Sequence, residues 1–133
     1  MFMITTKFEV PDIDSFLRLR KITGLGPRSR EAAEHGLPNS LFAISILDGE
    51  TIIGMGRVIG DGGLNFEIVD IAVDPKYQGQ GLGKQIMTHI MNYLNENAPA
   101  GCYISLIANI PALYEKFGFK KTSPEAEGMY IRK

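Results

Sequence analysis

The sequence predicts an α/β (α+β) fold built on one mixed β-sheet with helices on its faces. Three observations carry this. Two apolar runs inside "LFAISILDGETIIGMGRVIG" are joined by "DGE", the mark of a tight hairpin and so of antiparallel strands. The strand-like "DGGLNFEIVDIAVDP" is followed by a long amphipathic stretch and then by another apolar run, which makes a strand–helix–strand crossover. A second short helix and a last β-branched run close the chain, giving the order β-α-α-β-β-β-α-β-α-β.

Each element has a local reason. "MITTKFEV" is rich in β-branched and aromatic residues and reads as a first strand. "DIDSFLRLRKI" spaces Ile13, Phe16, Leu17, Leu19 and Ile22 at helical intervals behind an Asp12 cap. "SREAAEHG" is a shorter helix, stopped at Gly36 and Pro38. The strand through "FEIVDIAV" ends at Pro75. Alternation along it puts Glu67, Val69, Ile71 and Val73 on one face and Ile68, Asp70 and Ala72 on the other. "GLGKQIMTHIMNYLNENA" lines Leu82, Ile86, Ile90, Tyr93 and Leu94 along one face and is the strongest helix in the chain. "CYISLIAN" reads as a buried strand, "PALYEKFG" as a helix with proline in its first turn, and "MYIRK" as the last strand.

Composition narrows the function classes. At 133 residues the chain is the size of one domain spanning 1–133, with no repeat or linker dividing it. Hydrophobic residues make up 44% and charged residues 22%, with a net charge of −1, a soluble globular profile. No basic surplus or aromatic-interleaved Lys/Arg run points to nucleic acid. Apolar stretches fall short of the ~20 residues that span a bilayer, so no membrane role is expected. The start, "MFMITTKFEVPD", has no charged segment followed by an apolar one, so no signal peptide is expected. One cysteine, Cys102, excludes an internal disulfide and fits a reducing cytoplasmic setting. His35 and His89 are scattered, and no metal site is expected.

The chemistry centres on "VDPKYQGQGLGKQIM", where glycines stand between a strand and a helix. A dinucleotide fingerprint needs a third glycine at position 84, which is Lys84. A P-loop needs Ser or Thr after Gly83-Lys84 and a glycine at 78; Gln85 and Gln78 stand there. The remaining pattern is Gln78-x-x-Gly81-x-Gly83 at a helix start. The first amide N–H groups of that helix lack carbonyl partners, and its dipole adds positive charge. Residues Gln78, Gly79, Gln80, Gly81, Leu82, Gly83 and Lys84 therefore make a main-chain cradle for a diphosphate, the glycines keeping Cβ atoms clear. The plainer alternative is a glycine turn that merely starts a helix.

With "ALYEKFGF" at 112–119 downstream, "IAVDPKYQGQGLGKQIM" resembles the acetyl-coenzyme A motif of the GCN5-related N-acetyltransferases (GNAT superfamily), of the small single-domain bacterial type. The resemblance runs from about Ile44 to Phe119. It implies a mostly antiparallel mixed sheet of six to seven strands with about four helices and splayed central strands. Acetyl-CoA is then the co-substrate, its acetyl group passing directly to an amine. The pantetheine arm pairs with main chain near Ile71, Ala72 and Val73, as an added strand would. Tyr114 holds the family's place for the acid that protonates the departing thiolate, the plainer reading being a half-buried aromatic bonded to backbone. Glu67 and Asp70 match carboxylates that some members use toward the amine, and either equally suits an ion-paired role. Asp70 lies in an apolar setting that demands a partner if it is structural. Where many members carry an asparagine for the pantetheine arm this chain has Ile107; Asn109 stands nearest and also suits a cap before Pro111.

On the acceptor side, Arg18, Arg20, Lys21, Arg28 and Arg30 cluster within "RLRKITGLGPRSR". They read either as an anion-binding set for the acceptor or as a solvated helix face. "GLGP" suits a moving lid. Arg57 either faces the acceptor or pairs across the hairpin, and Cys102 reads as an inert buried thiol. The expected function is acetyl-CoA-dependent N-acetylation of a small-molecule amine, such as an amino sugar. The alternatives are a protein or peptide N-acetyltransferase and a non-catalytic acetyl-CoA-binding domain. The resemblance also implies homodimers, which are common in that superfamily.

Overall fold

In the computed structural model, which describes residues 3–133, Asp48 and Thr51 close the hairpin that the sequence marks with "DGE". Met1 and Phe2, part of the stretch read for a leader, lie outside the described residues. The hairpin strands are β2 (Phe42–Asp48) and β3 (Thr51–Gly60). β1 (Ile4–Lys7) pairs antiparallel with β2, and β4 (Asn65–Val73) antiparallel with β3. The turn into β4 is held by Asp61, whose Oδ1 accepts N–H bonds from Gly63, Leu64 and Asn65. β5 (Tyr103–Leu106) joins the other edge of β4 in parallel, so the sheet order is β1-β2-β3-β4-β5.

The helices follow from their caps. α1 (Ile13–Ile22) begins where the Asp12 carboxylate accepts the Ser15 N–H, and α2 (Arg30–Gly36) where the Ser29 hydroxyl accepts that of Ala32. α3 (Leu82–Asn97) is the parallel crossover between β4 and β5, and α4 (Pro111–Glu115) follows β5. On one face of the sheet Leu82, Ile86, Met87, Ile90 and Leu94 of α3 pack on Ile44, Ile46, Ile53, Val58, Phe66 and Ile68. On the other face Phe16, Leu19, Ala33 and Leu37 cover Met55 and Ala72. Each such Leu, Ile, Val, Phe or Met side chain contributes about 1.5–3 kcal/mol on burial. Among the described residues no helix is long and apolar enough to cross a membrane.

Two expectations are corrected. The sheet has five strands rather than six to seven, because "MYIRK" forms none: Met129, Tyr130 and Ile131 are 93%, 82% and 95% exposed. β-propensity reflects fit to a half-buried pleated surface, and no strand lies alongside this segment to supply one. The second correction concerns which way β4 faces. Met55 stands opposite Ala72 and Arg57 opposite Val69, so Gly56 alone faces both Asp70 and Ile71, a β-bulge. Asp70 takes φ 59°, the one positive value at a non-glycine position among the described residues. The extra residue flips the alternation. Phe66, Ile68, Ile71 and Val73 all meet the α3-side core, while Glu67 and Asp70 fall together on the α1 side with Ala72.

Gly56 is the hinge of this packing. A Cβ there would lie 2.7 Å from Ile71 Cδ1 and 2.8 Å from Ile86 Cγ2. Gly56→Ala should therefore lower stability by about 1–3 kcal/mol, read as a shifted urea midpoint with unchanged slope. An unshifted midpoint would show that the bulge and α3 do not crowd this position.

Candidate functional site

The site is built where β4 and β5 part. Their ladder runs from Asn65–Tyr103 to Ile68–Leu106 and stops there, while β4 continues to Val73. The bulge at Asp70 comes two residues after the last pair. A bulge bends its strand and sharpens its twist, which turns β4 away from β5. The segment through Ile71, Ala72 and Val73 thus keeps β3 on one edge and, among the described residues, has no strand on the other.

A buried ion cluster holds the bulge. Arg20 Nη1 donates to Asp70 Oδ1, and Arg57 Nε donates to Asp70 Oδ2 at 2.7 Å. The side chains of Arg20, Arg57 and Asp70 are 5%, 12% and 7% exposed, so the pairing is largely shielded from water. Both guanidiniums stand over the Phe16 ring, at 6.0 and 5.9 Å from its centre. Arg57 also donates to Ser40 Oγ at 2.9 Å, just ahead of β2. Arg20 donates further to the carbonyls of Leu25 and Gly26, pinning the segment that the sequence suits to a lid. The strained backbone of Asp70 costs on the order of 1–3 kcal/mol, and two charge-assisted hydrogen bonds offset it.

The glycine loop starts at the end of the same strand. Asp74, 3% exposed, accepts from Arg18 Nη2 at 2.5 Å and from the Lys76 N–H at 3.0 Å, which fixes the exit from β4. Gln78 Nε2 donates back to the Val73 carbonyl at 2.9 Å. Gly79 and Gly81 take φ 84° and 79°, conformations that any side chain would resist. Gly81 is the N-cap of α3, and no side chain caps that helix. The first helical amides, of Leu82, Gly83 and Lys84, have no carbonyl behind them; the ladder begins with Gln85 N–H to Gly81 at 3.0 Å. A Cβ on Gly79, Gly81 or Gly83 would meet nothing within 4 Å, so the loop carries no crowding of its own. Together these features fit a diphosphate and the coenzyme behind it.

Tyr114 lies on α4, half-buried, and packs with Ile71, Val73 and Tyr77 against the α3-side core. Among the described residues its hydroxyl has no hydrogen-bond partner, unlike the backbone-bonded alternative. Burial pushes this phenol above its ordinary value. Ile107 and Ile110, just past β5, are 75% and 67% exposed. Asn109 sits beside them in the bend before α4, but Ile110 holds the cap position and Asn109 caps nothing. Glu67 stands within the ladder, opposite Ile59 and Ser105, short of the divergence. Arg28 is apart from these, on the exposed loop between α1 and α2. Asp74 is a site-forming residue that residue-type reasoning left unassigned, and Arg18 and Arg20, read there as an anion-binding set or a solvated face, instead pair with Asp74 and Asp70. The one signal was a carboxylate in apolar surroundings at Asp70, which requires a cation from elsewhere.

A family model described as an acetyltransferase (GNAT) domain matches residues 38–121. A solved structure from meticillin-resistant Staphylococcus aureus, described as a protein of unknown function and probable acetyltransferase, is 50% identical. It covers 98% of this chain and 100% of its own, with a TM-score of 0.94. A chloroplastic GCN5-related N-acetyltransferase 2 from Arabidopsis thaliana is 32% identical over 79 residues, 59% of this chain and 31% of that one. A ribosomal protein bS18 alanine N-acetyltransferase from Escherichia coli is 36% identical over 59 residues, 42% of this chain and 40% of that one. The matches thus cover less than half the length of either curated relative.

Removing Asp70 leaves two guanidiniums buried without an anion. Asp70→Ala should cost about 3–5 kcal/mol in denaturant unfolding. A loss within 0.5 kcal/mol, typical of an exposed pair, would show that the cluster does not hold the bulge.

Proposed function

The chain belongs to the GNAT acetyltransferase family, and from that premise we propose that it transfers an acetyl group from acetyl-CoA directly to the amine of a small-molecule acceptor. The observation that carries the reading is the conjunction at one place of an unpaired β4 edge and the uncapped, glycine-built start of α3. Acetyl-CoA supplies the acetyl group already activated as a thioester. The residues that would hold it are Gln78 to Lys84 for the diphosphate and the main chain of Ile71, Ala72 and Val73 for the pantetheine arm. Exposed Ile107 and Ile110, with Asn109 between them, would be covered by that arm.

The chain's own groups divide the remaining work. A main-chain N–H near Val73 polarises the acetyl oxygen as negative charge grows; one such donor is worth about 3 kcal/mol. Glu67 takes the proton of the incoming amine, directly or through water. Asp70 is already engaged, because Arg20 and Arg57 hold both of its carboxylate oxygens. In this reading Asp70 and Arg57 position the bulge, and with it the donors that follow. Tyr114 gives its proton to the departing sulfur. A phenol raised by burial stays protonated at neutral pH and can donate to a thiolate whose ordinary value is about 8.5.

A second reading, a protein or peptide acceptor, is supported by the likeness to the bS18 alanine N-acetyltransferase. A thiol-release assay with acetyl-CoA, run against small amines, amino sugars and an alanine-terminated peptide, separates the two. Release with the peptide alone would replace the small-molecule reading. Absence of release with every acceptor, alongside tight CoA binding, would favour a non-catalytic binder.

Tyr114→Phe should lower kcat by about 10²-fold while circular dichroism and CoA affinity stay unchanged; undiminished turnover would remove the acid role. The sign of the pH effect follows from the raised phenol. Because activity needs the protonated form, the alkaline limb set by Tyr114 should lie above the ordinary value of 10.0. A limb that persists unaltered in Tyr114→Phe would belong to another group.

A further inference from the structure

Five cations gather around the loop between α1 and α2, and among the described ion pairs one carboxylate serves them. Arg20 reaches from the buried end of α1 to the carbonyls of Leu25 and Gly26 and to Asp70, so the loop is tied to the β4 bulge. Arg57 shares that same carboxylate. Lys21 and Arg28 line a cavity of about 490 Å³ together with Leu17, Gly24, Gly26 and Pro27. Arg132 arrives from the far end of the chain: its Nη1 lies 3.7 Å from where a Cβ on Gly26 would stand. Among the described residues Lys21, Arg28 and Arg132 take part in no ion pair. The repulsion is felt at Arg20, which burial first, and then Arg28 and Arg132, hold below the ordinary guanidinium value against the pull of Asp70.

This crowding needs an explanation in a chain whose net charge is −1. Lys21 and Arg28 are exposed, but the pocket they line is of ligand size and is tied through Arg20 to the strand beside the transfer point. Here the cavity wall and the bulge are one arginine side chain apart, through Arg20. Guanidinium groups match carboxylate and phosphate oxygens two at a time. We infer that the acceptor amine carries an anionic group, a carboxylate or a phosphate, bound in this cavity by Arg28, Lys21 and Arg132 while its amine lies toward the Asp70 bulge. This rests on the N-acetyltransferase reading above, because that reading makes the bulge the point of transfer.

The test uses the full chain and amines matched except for the anion: ethanolamine against O-phosphoethanolamine, glucosamine against glucosamine 6-phosphate, and pentylamine against 6-aminohexanoate. With acetyl-CoA, at least one anionic member should exceed its neutral partner in kcat/KM by about 30-fold or more. Which pair shows the gap distinguishes phosphate from carboxylate. The advantage should shrink with added salt and collapse toward unity in Arg28→Ala and Lys21→Ala. Calorimetric titration of the CoA-saturated protein with the same amines keeps this separate from the catalytic reading. Anionic amines that bind, and bind ~10-fold or more weaker in Arg28→Ala, uphold the inference even where no acetyl moves. Equal turnover or binding of neutral and anionic partners, a preference that survives both substitutions, or no binding of any anionic amine would overturn it.

Discussion

The structure depends most on the sharing of the Asp70 carboxylate between Arg20 and Arg57. Asp70 occupies a backbone conformation that β-strands avoid, and it does so inside the strand that lies between β3 and β5. Buried guanidiniums from α1 and β3 hold it there. Without them a charged group would face an apolar helix–sheet interface, and the strand would gain by flattening into a regular ladder. With them β4 keeps its bulge and parts from β5 after Ile68, and its last three residues carry main chain that no strand pairs on that side.

That one constraint reaches both halves of the chemistry. On the β5 side, the freed edge of β4 runs straight into the turn organised by Asp74 and then into the α3 start, one continuous stretch of backbone that, in the proposed reading, would face an extended, phosphate-bearing ligand. On the α1 side, Arg20 carries the same fixed point into the Leu25–Gly26 loop, where the unpaired cations stand. In the proposed reading donor and acceptor are thus registered against a single carboxylate. The donor would be read by peptide groups, which are the same in any sequence; the acceptor would be read by side chains, which are free to vary. This division lets one fold keep its coenzyme while changing the molecule it modifies.

Much of this was legible in the residues themselves. The hairpin at "DGE", the Asp12 cap and the apolar stripe of α3 each rest on contacts within a few residues, and the elements stand where those patterns put them. The glycine loop was legible for the same reason, since Gly79 and Gly81 stand at left-handed positions that local sequence must respect. What failed was what depends on distant partners. The facing of Asp70 hinged on Arg20, 50 positions away, and strict alternation placed it across the sheet from Glu67. The missing last strand is the converse case. "MYIRK" has strand-forming side chains, but a strand requires a neighbour, and none runs beside Met129 to Ile131.

The most direct test of the central claim is amide hydrogen exchange followed residue by residue, with and without CoA. If main-chain nitrogens hold the coenzyme, protection should rise at Leu82, Gly83 and Lys84 and along Ile71 to Val73, with little change at β1 and β2. Protection confined to other segments, or none at saturating CoA, would contradict it.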